Sequence, residues 1–193
     1  MSSRRRIGVM GGTFDPIHLG HLVAASEVRH RLDLEQVLFI PAGQPWQKLD
    51  RQVTEAEHRY VMTELATDRS PFTVSRMDMD RPGPTYTVDT LREVHAQYGP
   101  ADVYLVTGAD ALAGVRTWRE PEALRELAHM VGVTRPGHPL PDEPAGGEVT
   151  ILEIPSLDIS STMCRQRVAR GEPIDYLVPA AVAEYIRKHA LYR

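Results

Sequence analysis

Ile7-Gly8-Val9-Met10-Gly11-Gly12-Thr13-Phe14-Asp15-Pro16-Ile17-His18-Leu19-Gly20-His21 is the stretch on which the reading of this chain turns. The apolar run at 7–10 predicts a short strand, the glycines a turn, and the pattern over 21–32 a helix. Glycine lets a backbone come close to a ligand. A helix N-terminus presents free N–H groups and the positive end of its dipole to an anion. His18 and His21 add imidazole donors at that end. A strand–turn–helix with these residues is suited to holding a polyphosphate, which makes Gly11, Gly12, Thr13, Phe14, His18 and His21 the first candidate ligands.

Further along the chain, apolar runs predict strands at 37–40, 72–75, 103–106, 130–133 and 149–154. Helical spacing predicts helices at 55–67, 87–98, 111–115, 121–128, 161–170 and 179–189. The polar or Pro/Gly-rich segments 44–52, 80–84 and 137–147 read as loops. Short apolar strands that alternate with helices and lack a period of two suit a parallel sheet covered on both faces. The expected fold is therefore α/β, a Rossmann-like doubly wound parallel sheet. With no internal repeat and no linker composition, a single domain over 1–193 is expected, completed by the helices within 161–193. Ligands of such sheets lie beyond the carboxyl ends of the strands. The polar segments 11–21, 42–48, 107–110 and 156–165, with Arg135, all follow predicted strands, so they should converge on one rim.

Composition narrows the classes. The 193 residues are 42% hydrophobic and 25% charged, ordinary for a soluble globular protein. A net charge of −4 argues against a nucleic-acid partner. Arg4, Arg5 and Arg6 precede an apolar run too short for a signal peptide, and no segment reaches the roughly 18 apolar residues of a membrane span. Cys164 is the one cysteine, which excludes an intrachain disulfide and fits a reducing, cytoplasmic setting.

Several further segments carry candidate chemistry. In Ile159-Ser160-Ser161-Thr162-Met163-Cys164-Arg165, Ser161 and Thr162 stand at a predicted helix start, where they can cap the helix or meet phosphate oxygens. Arg165, one turn on, offers a planar fork to a phosphate. Lys48 lies in the loop after the second strand beside Trp46, whose ordinary role would be packing. In Gly83-Pro84-Thr85-Tyr86-Thr87-Val88-Asp89, Thr87 or Asp89 can cap the next helix and Tyr86 reads as core. Gly108 and Asp110 follow a strand end. Asp110 is either an N-cap or an acceptor for sugar hydroxyls, and Trp118 either core or a face for a flat ring. Arg135 ends another strand. The two histidines lack Cys or Glu partners at metal-site spacing, so zinc is not expected. Gly8, Gly11 and Gly12 do not make G-x-G-x-x-G, so a dinucleotide oxidoreductase is not expected either.

The first motif, with Ile159-Ser160-Ser161-Thr162 and Arg165 at the far end, resembles the His-x-Gly-His nucleotidyltransferase superfamily, and within it the bacterial nicotinate-nucleotide adenylyltransferases. The resemblance implies transfer of AMP from ATP to nicotinate mononucleotide, with nicotinate adenine dinucleotide and pyrophosphate as products. It implies phosphate contacts by His18, His21, Lys48 and Arg165, and an ATP site of Gly11, Gly12, Thr13, Phe14, Gly108, Ser161 and Thr162. It places Lys48, Thr85, Asp110, Trp118 and Arg135 at the mononucleotide, with Thr85 by the pyridine carboxylate and Trp118 stacked on the ring. Mg²⁺ is expected to arrive with ATP, so no residue is assigned as a metal ligand. Self-association into a homo-oligomer is implied as well. Relatives that adenylylate phosphopantetheine or transfer cytidylyl groups differ after the first motif. Whether the acid or the amide mononucleotide is preferred stays open.

Overall fold

The computed structural model describes residues 4–45, 53–134, 149–155 and 157–193. β1 (Arg5–Gly12), β2 (Gln36–Pro41), β4 (Phe72–Val74), β6 (Ala101–Gly108), β7 (His129–Thr134) and β8 (Val149–Glu153) form one sheet in the order β4-β2-β1-β6-β7-β8. Every pairing in it is parallel. β3 (Gln44–Pro45) and β5 (Pro84–Thr85) make a separate parallel pair of two residues each. The 44–52 and 80–84 segments were expected to be loops. The pairing of Gln44 with Pro84 is non-local and leaves no periodic trace in either segment.

The sheet is apolar on both faces because successive strand residues feed two cores. In β2, Val37 and Phe39 face one cluster, and Leu38 and Ile40 the other. The first cluster takes α1 (Leu19–Arg31) through Ala24, Ala25 and Val28, and α2 (Ala56–Thr67) through Met62. It also takes α7 (Ser161–Ala169) through Cys164 and α8 (Ala180–Lys188) through Val182, Ala183 and Ile186. The second takes α4 (Thr87–Tyr98) through Val88, Leu91 and Val94, and α6 (Pro121–Leu127) through Leu124. α5 (Ala109–Ala113) and the 3₁₀ turn Val115–Thr117 add Leu112 and Val115 to it. α3 (Met77–Asp80), a single turn inside a stretch without helical period, adds Met77. The doubly wound α/β expectation holds. Among the described residues no helix is long and apolar enough to cross a membrane.

The chain leaves β1 in one direction through β2 and β4, and later fills the other side through β6, β7 and β8. The strand order reverses between β1 and β6. A crevice opens at such a switch point, beyond the carboxyl ends of the strands, and here it opens at Gly11, Gly12, Thr107 and Gly108.

Candidate active site

Two cavities open at this crevice. The larger, about 700 Å³, is lined by Gly11, Gly12, Phe14, His18, Gly20, His21, Gly108, Asp110, Ser160 and Ser161, with Ile154 and Leu157 as apolar wall. The smaller, about 180 Å³, is lined by Thr13, Pro45, Asp78, Thr85, Thr87, Thr90 and Trp118. Gly11, Gly12, Val106 and Thr107 line both, so the cavities meet over the ends of β1 and β6.

The glycines of the first motif serve different ends. A Cβ on Gly11 would meet nothing within 4 Å, so this backbone faces open space in the crevice. A Cβ on Gly12 would lie 2.8 Å from the Phe14 ring, which fills that volume itself. On Gly20 it would come within 3.0 Å of His18 Nδ1, and on Gly108 within 2.4 Å of the Asp110 carboxylate. Gly20 and Gly108 therefore keep room for two polar side chains of the site.

α1 begins at Leu19, earlier than the expected 21, because His18 is its N-cap and His21 stands at the third helical position. The His18 backbone N–H donates to His21 Nδ1 at 3.2 Å. An Nδ1 that accepts leaves the proton of a neutral imidazole on Nε2. His21 thus offers Nε2–H as a donor. The two rings stack with centroids 3.7 Å apart, and Phe14 meets His21 edge-on at 5.1 Å. The stack fixes both imidazoles before any ligand arrives.

α7 closes the larger cavity from the far end of the chain. Its N-cap is Ser160, whose hydroxyl accepts from the Met163 N–H at 3.1 Å. The neighbouring serine does something else: the Ser161 hydroxyl donates to the Pro16 carbonyl at 2.8 Å. Arg165 Nη1 donates to the Asp15 carbonyl at 2.7 Å and Nη2 to the Thr162 hydroxyl at 3.3 Å. Arg165 and Thr162 line neither cavity. The residue expected to present a fork to phosphate spends part of it bracing the backbone of the first motif.

On the acceptor side, the Thr85 hydroxyl accepts from the Gln44 N–H at 3.3 Å, which joins β5 to β3 beside Trp118. Thr85 and Trp118 share the smaller cavity. Asp110, expected with them at the mononucleotide, instead lines the larger one, exposed in the first turn of α5. Lys48, Trp46, Arg135 and the 137–147 loop lie outside the described residues.

Two buried charges beneath the crevice escape the sequence reading. Arg59, 1% exposed, donates to the carbonyls of Thr54 at 2.8 Å, Thr13 at 2.8 Å and Gly43 at 3.0 Å. Burial lowers its affinity for the proton, and nearby Asp15 works the other way. Asp78 accepts from Thr90 Oγ1 at 2.6 Å and Arg81 Nη1 at 3.0 Å, and Arg81 also pairs with Glu93. Burial pushes the Asp78 carboxyl up to about 6, against the pull of Thr90 and Arg81. A trace of Arg59 existed in the sequence, since it falls on the same α2 face as Met62 and Thr63. Asp78 gave none, because α3 itself was not legible.

Residues 9–167 match a family model described as Cytidylyltransferase-like. With the switch-point crevice and its paired cavities, this makes the protein a nucleotidyltransferase. The chain is 60% identical over 187 residues to a protein of Streptomyces coelicolor named probable nicotinate-nucleotide adenylyltransferase, covering 95% of this chain and 99% of that one. It is 57% identical over 203 residues to a protein of the same name from Acidothermus cellulolyticus, covering 100% and 97%. The chain belongs to the nicotinate-nucleotide adenylyltransferase family. In fold it is similar to Plasmodium falciparum nicotinic acid mononucleotide adenylyltransferase complexed with NaAD, with TM-score 0.81, 20% identity and 97% of each chain covered.

Proposed function

We propose that the larger cavity takes ATP, that the smaller takes the pyridine end of nicotinate mononucleotide, and that adenylyl transfer occurs where they meet. The observation that carries this reading is the shared wall of Gly11, Gly12, Val106 and Thr107 between two cavities of different character. One side offers imidazoles and a bare glycine backbone to phosphates. The other offers an indole and a set of threonines, Thr13, Thr85, Thr87 and Thr90 among them, to a flat, polar ring.

An oxygen of the mononucleotide phosphate attacks the α-phosphorus of ATP in line. A new P–O bond forms, the bond from the α-phosphorus to the bridging oxygen breaks, and pyrophosphate leaves with the electron pair. The attacking oxygen is already anionic, so no general base is needed, and catalysis consists of positioning and charge stabilisation. His21 Nε2–H and His18 meet oxygens whose charge grows as the leaving group departs. Gly11, Gly12, Phe14, Gly108 and Ser161 shape the ATP side, and Thr13, on the wall of the smaller cavity, is kept at ATP by analogy with the family. Lys48, Arg135, Thr162 and Arg165 complete the ligand set by analogy with the family, and Asp110 receives sugar hydroxyls.

Mg²⁺ belongs to the same reading. Among the described residues there is no group of three or more His, Cys, Asp or Glu able to hold a metal. Magnesium carried mainly by triphosphate oxygens and water would neutralise charge on the departing pyrophosphate. We further read the chain as one cytoplasmic domain, in keeping with its single free, buried thiol. Its self-association is measurable by sedimentation.

Pyrophosphate release with ATP and magnesium, comparing nicotinate with nicotinamide mononucleotide, tests the assignment. Release with the acid alone is the expected result. Equal release with both would remove Thr85 and Trp118 as readers of the carboxylate, and release with neither would move the acceptor elsewhere in the superfamily.

A further inference from the structure

The segment after α8 runs beneath the first motif. Ala190 and Tyr192 adopt φ of 51° and 64°, left-handed values that non-glycine residues hold only when their surroundings over-determine them. Leu191 and Tyr192 pack against the first core cluster, and the Leu191 N–H donates to the Ile186 carbonyl at 3.1 Å. The result is a side chain directed at one atom. The Tyr192 hydroxyl donates to Asp15 Oδ1 at 2.7 Å, across 177 positions of sequence. Asp15 is 5% exposed, and its second oxygen accepts from the Thr54 N–H at 3.2 Å. Burial and the adjacent carboxylate both raise the phenol's hold on its proton, so it remains a donor at any working pH.

Asp15 lies between Phe14 and the turn that carries His18. We propose that Tyr192 is a positioning residue for adenylyl transfer, acting through Asp15 to hold the 13–21 loop and its histidine pair at the phosphates. Three braces converge on this loop: Arg59 on the Thr13 carbonyl, Arg165 on the Asp15 carbonyl and Ser161 on the Pro16 carbonyl. All three grip backbone. Tyr192 grips a side chain, the one carboxylate of the motif, and neutralises part of its demand for donors. Without the hydroxyl, a buried carboxylate keeps only Thr54 among these two partners and can relieve itself only by moving the loop. The contact is made to an ionised acceptor, which places it among the stronger hydrogen bonds.

The inference rests on the adenylyl-transfer reading for its kinetic consequence, but not for its structural one. Tyr192→Phe deletes one oxygen and keeps the ring in the core. Amide hydrogen exchange followed by mass spectrometry should show faster exchange across 13–21, with α2 and α8 unchanged. Pyrophosphate release should show kcat lowered about tenfold and KM for ATP within about twofold of the parent. Unchanged exchange over 13–21 overturns the proposal whatever the kinetics. So does exchange that quickens equally in α2 and α8 while kcat per folded molecule stays at the parent value, since that is a packing defect alone. The exchange arm needs no acceptor. If the parent protein itself releases no pyrophosphate while the loop loosens in the variant, the adenylyl-transfer reading has failed and the loop restraint stands.

Discussion

Two buried charges of opposite sign hold the crevice in different ways. Arg59 spends its guanidinium on three backbone carbonyls, those of Thr54, Thr13 and Gly43. Beneath the acceptor side, Asp78 ties α3 to α4 through Thr90 and to Arg81. The cation keeps its charge across the working pH range and acts as a fixed clamp on the backbone of those loops. The carboxyl ionises only reluctantly, because burial outweighs the pull of Thr90 and Arg81. One clamp thus keeps its charge at every working pH, while the other carries a charge that depends on pH.

The sharpest way to break this contrast is on the phosphate side. His21→Ala removes the Nε2–H donor and the acceptor of the His18 N–H, and kcat should fall by about 10²–10³ with a smaller change in KM for ATP. An unchanged kcat would remove His21 from the transition state. Arg59→Met leaves the carbonyls of Thr13, Gly43 and Thr54 without these donors in a buried setting. Urea unfolding should show a loss of about 3 kcal/mol; a loss below about 1 kcal/mol would show that the loops hold themselves.

Asp78 sharpens the comparison from the acceptor side. Its proton is held more tightly in the folded chain than in the unfolded one. From the ordinary carboxylate range up to about pH 6 the unfolded chain ionises first, so stability falls as pH rises through that window and levels off above it. Asp78→Asn should therefore gain stability over the parent from pH 4 to pH 7, by about 2 kcal/mol at the top of the range. Thermal melts across that range read it, and a gain that shrinks with rising pH would reverse the assignment. The smallest effect is expected at Trp118→Ala, which should raise KM for the mononucleotide about tenfold and spare that for ATP. Equal changes in both would count against ring stacking.

Local patterns made much of the molecule legible. Apolar runs and glycines located β1, β2, β6, β7 and β8 to within a residue or two at most ends, and 3.6-residue spacing located α2, α4, α6, α7 and α8. The doubly wound sheet followed from their alternation. What escaped were elements too short to carry a period, α3 and the β3–β5 pair, and groups whose meaning lies in their partners. Asp110 shows the limit well. Its type and place after a strand marked it as a candidate for sugar hydroxyls, but only the course of α5 shows that it lines the larger cavity.

By itself, the sequence determined the fold class and the strand–glycine turn–helix that carries His18 and His21. These are properties of local backbone chemistry, in which glycine, a capping residue and an apolar run act within a few positions of one another. Only the tertiary structure decided that Arg165 and Ser161 brace the Asp15–Pro16 backbone, that Arg59 clamps the Thr13 carbonyl and Asp78 joins α3 to α4, and that Tyr192 reaches Asp15. Those contacts join residues that are far apart in the chain. They exist because burying a polar group demands a partner, and packing alone settles which partner is within reach.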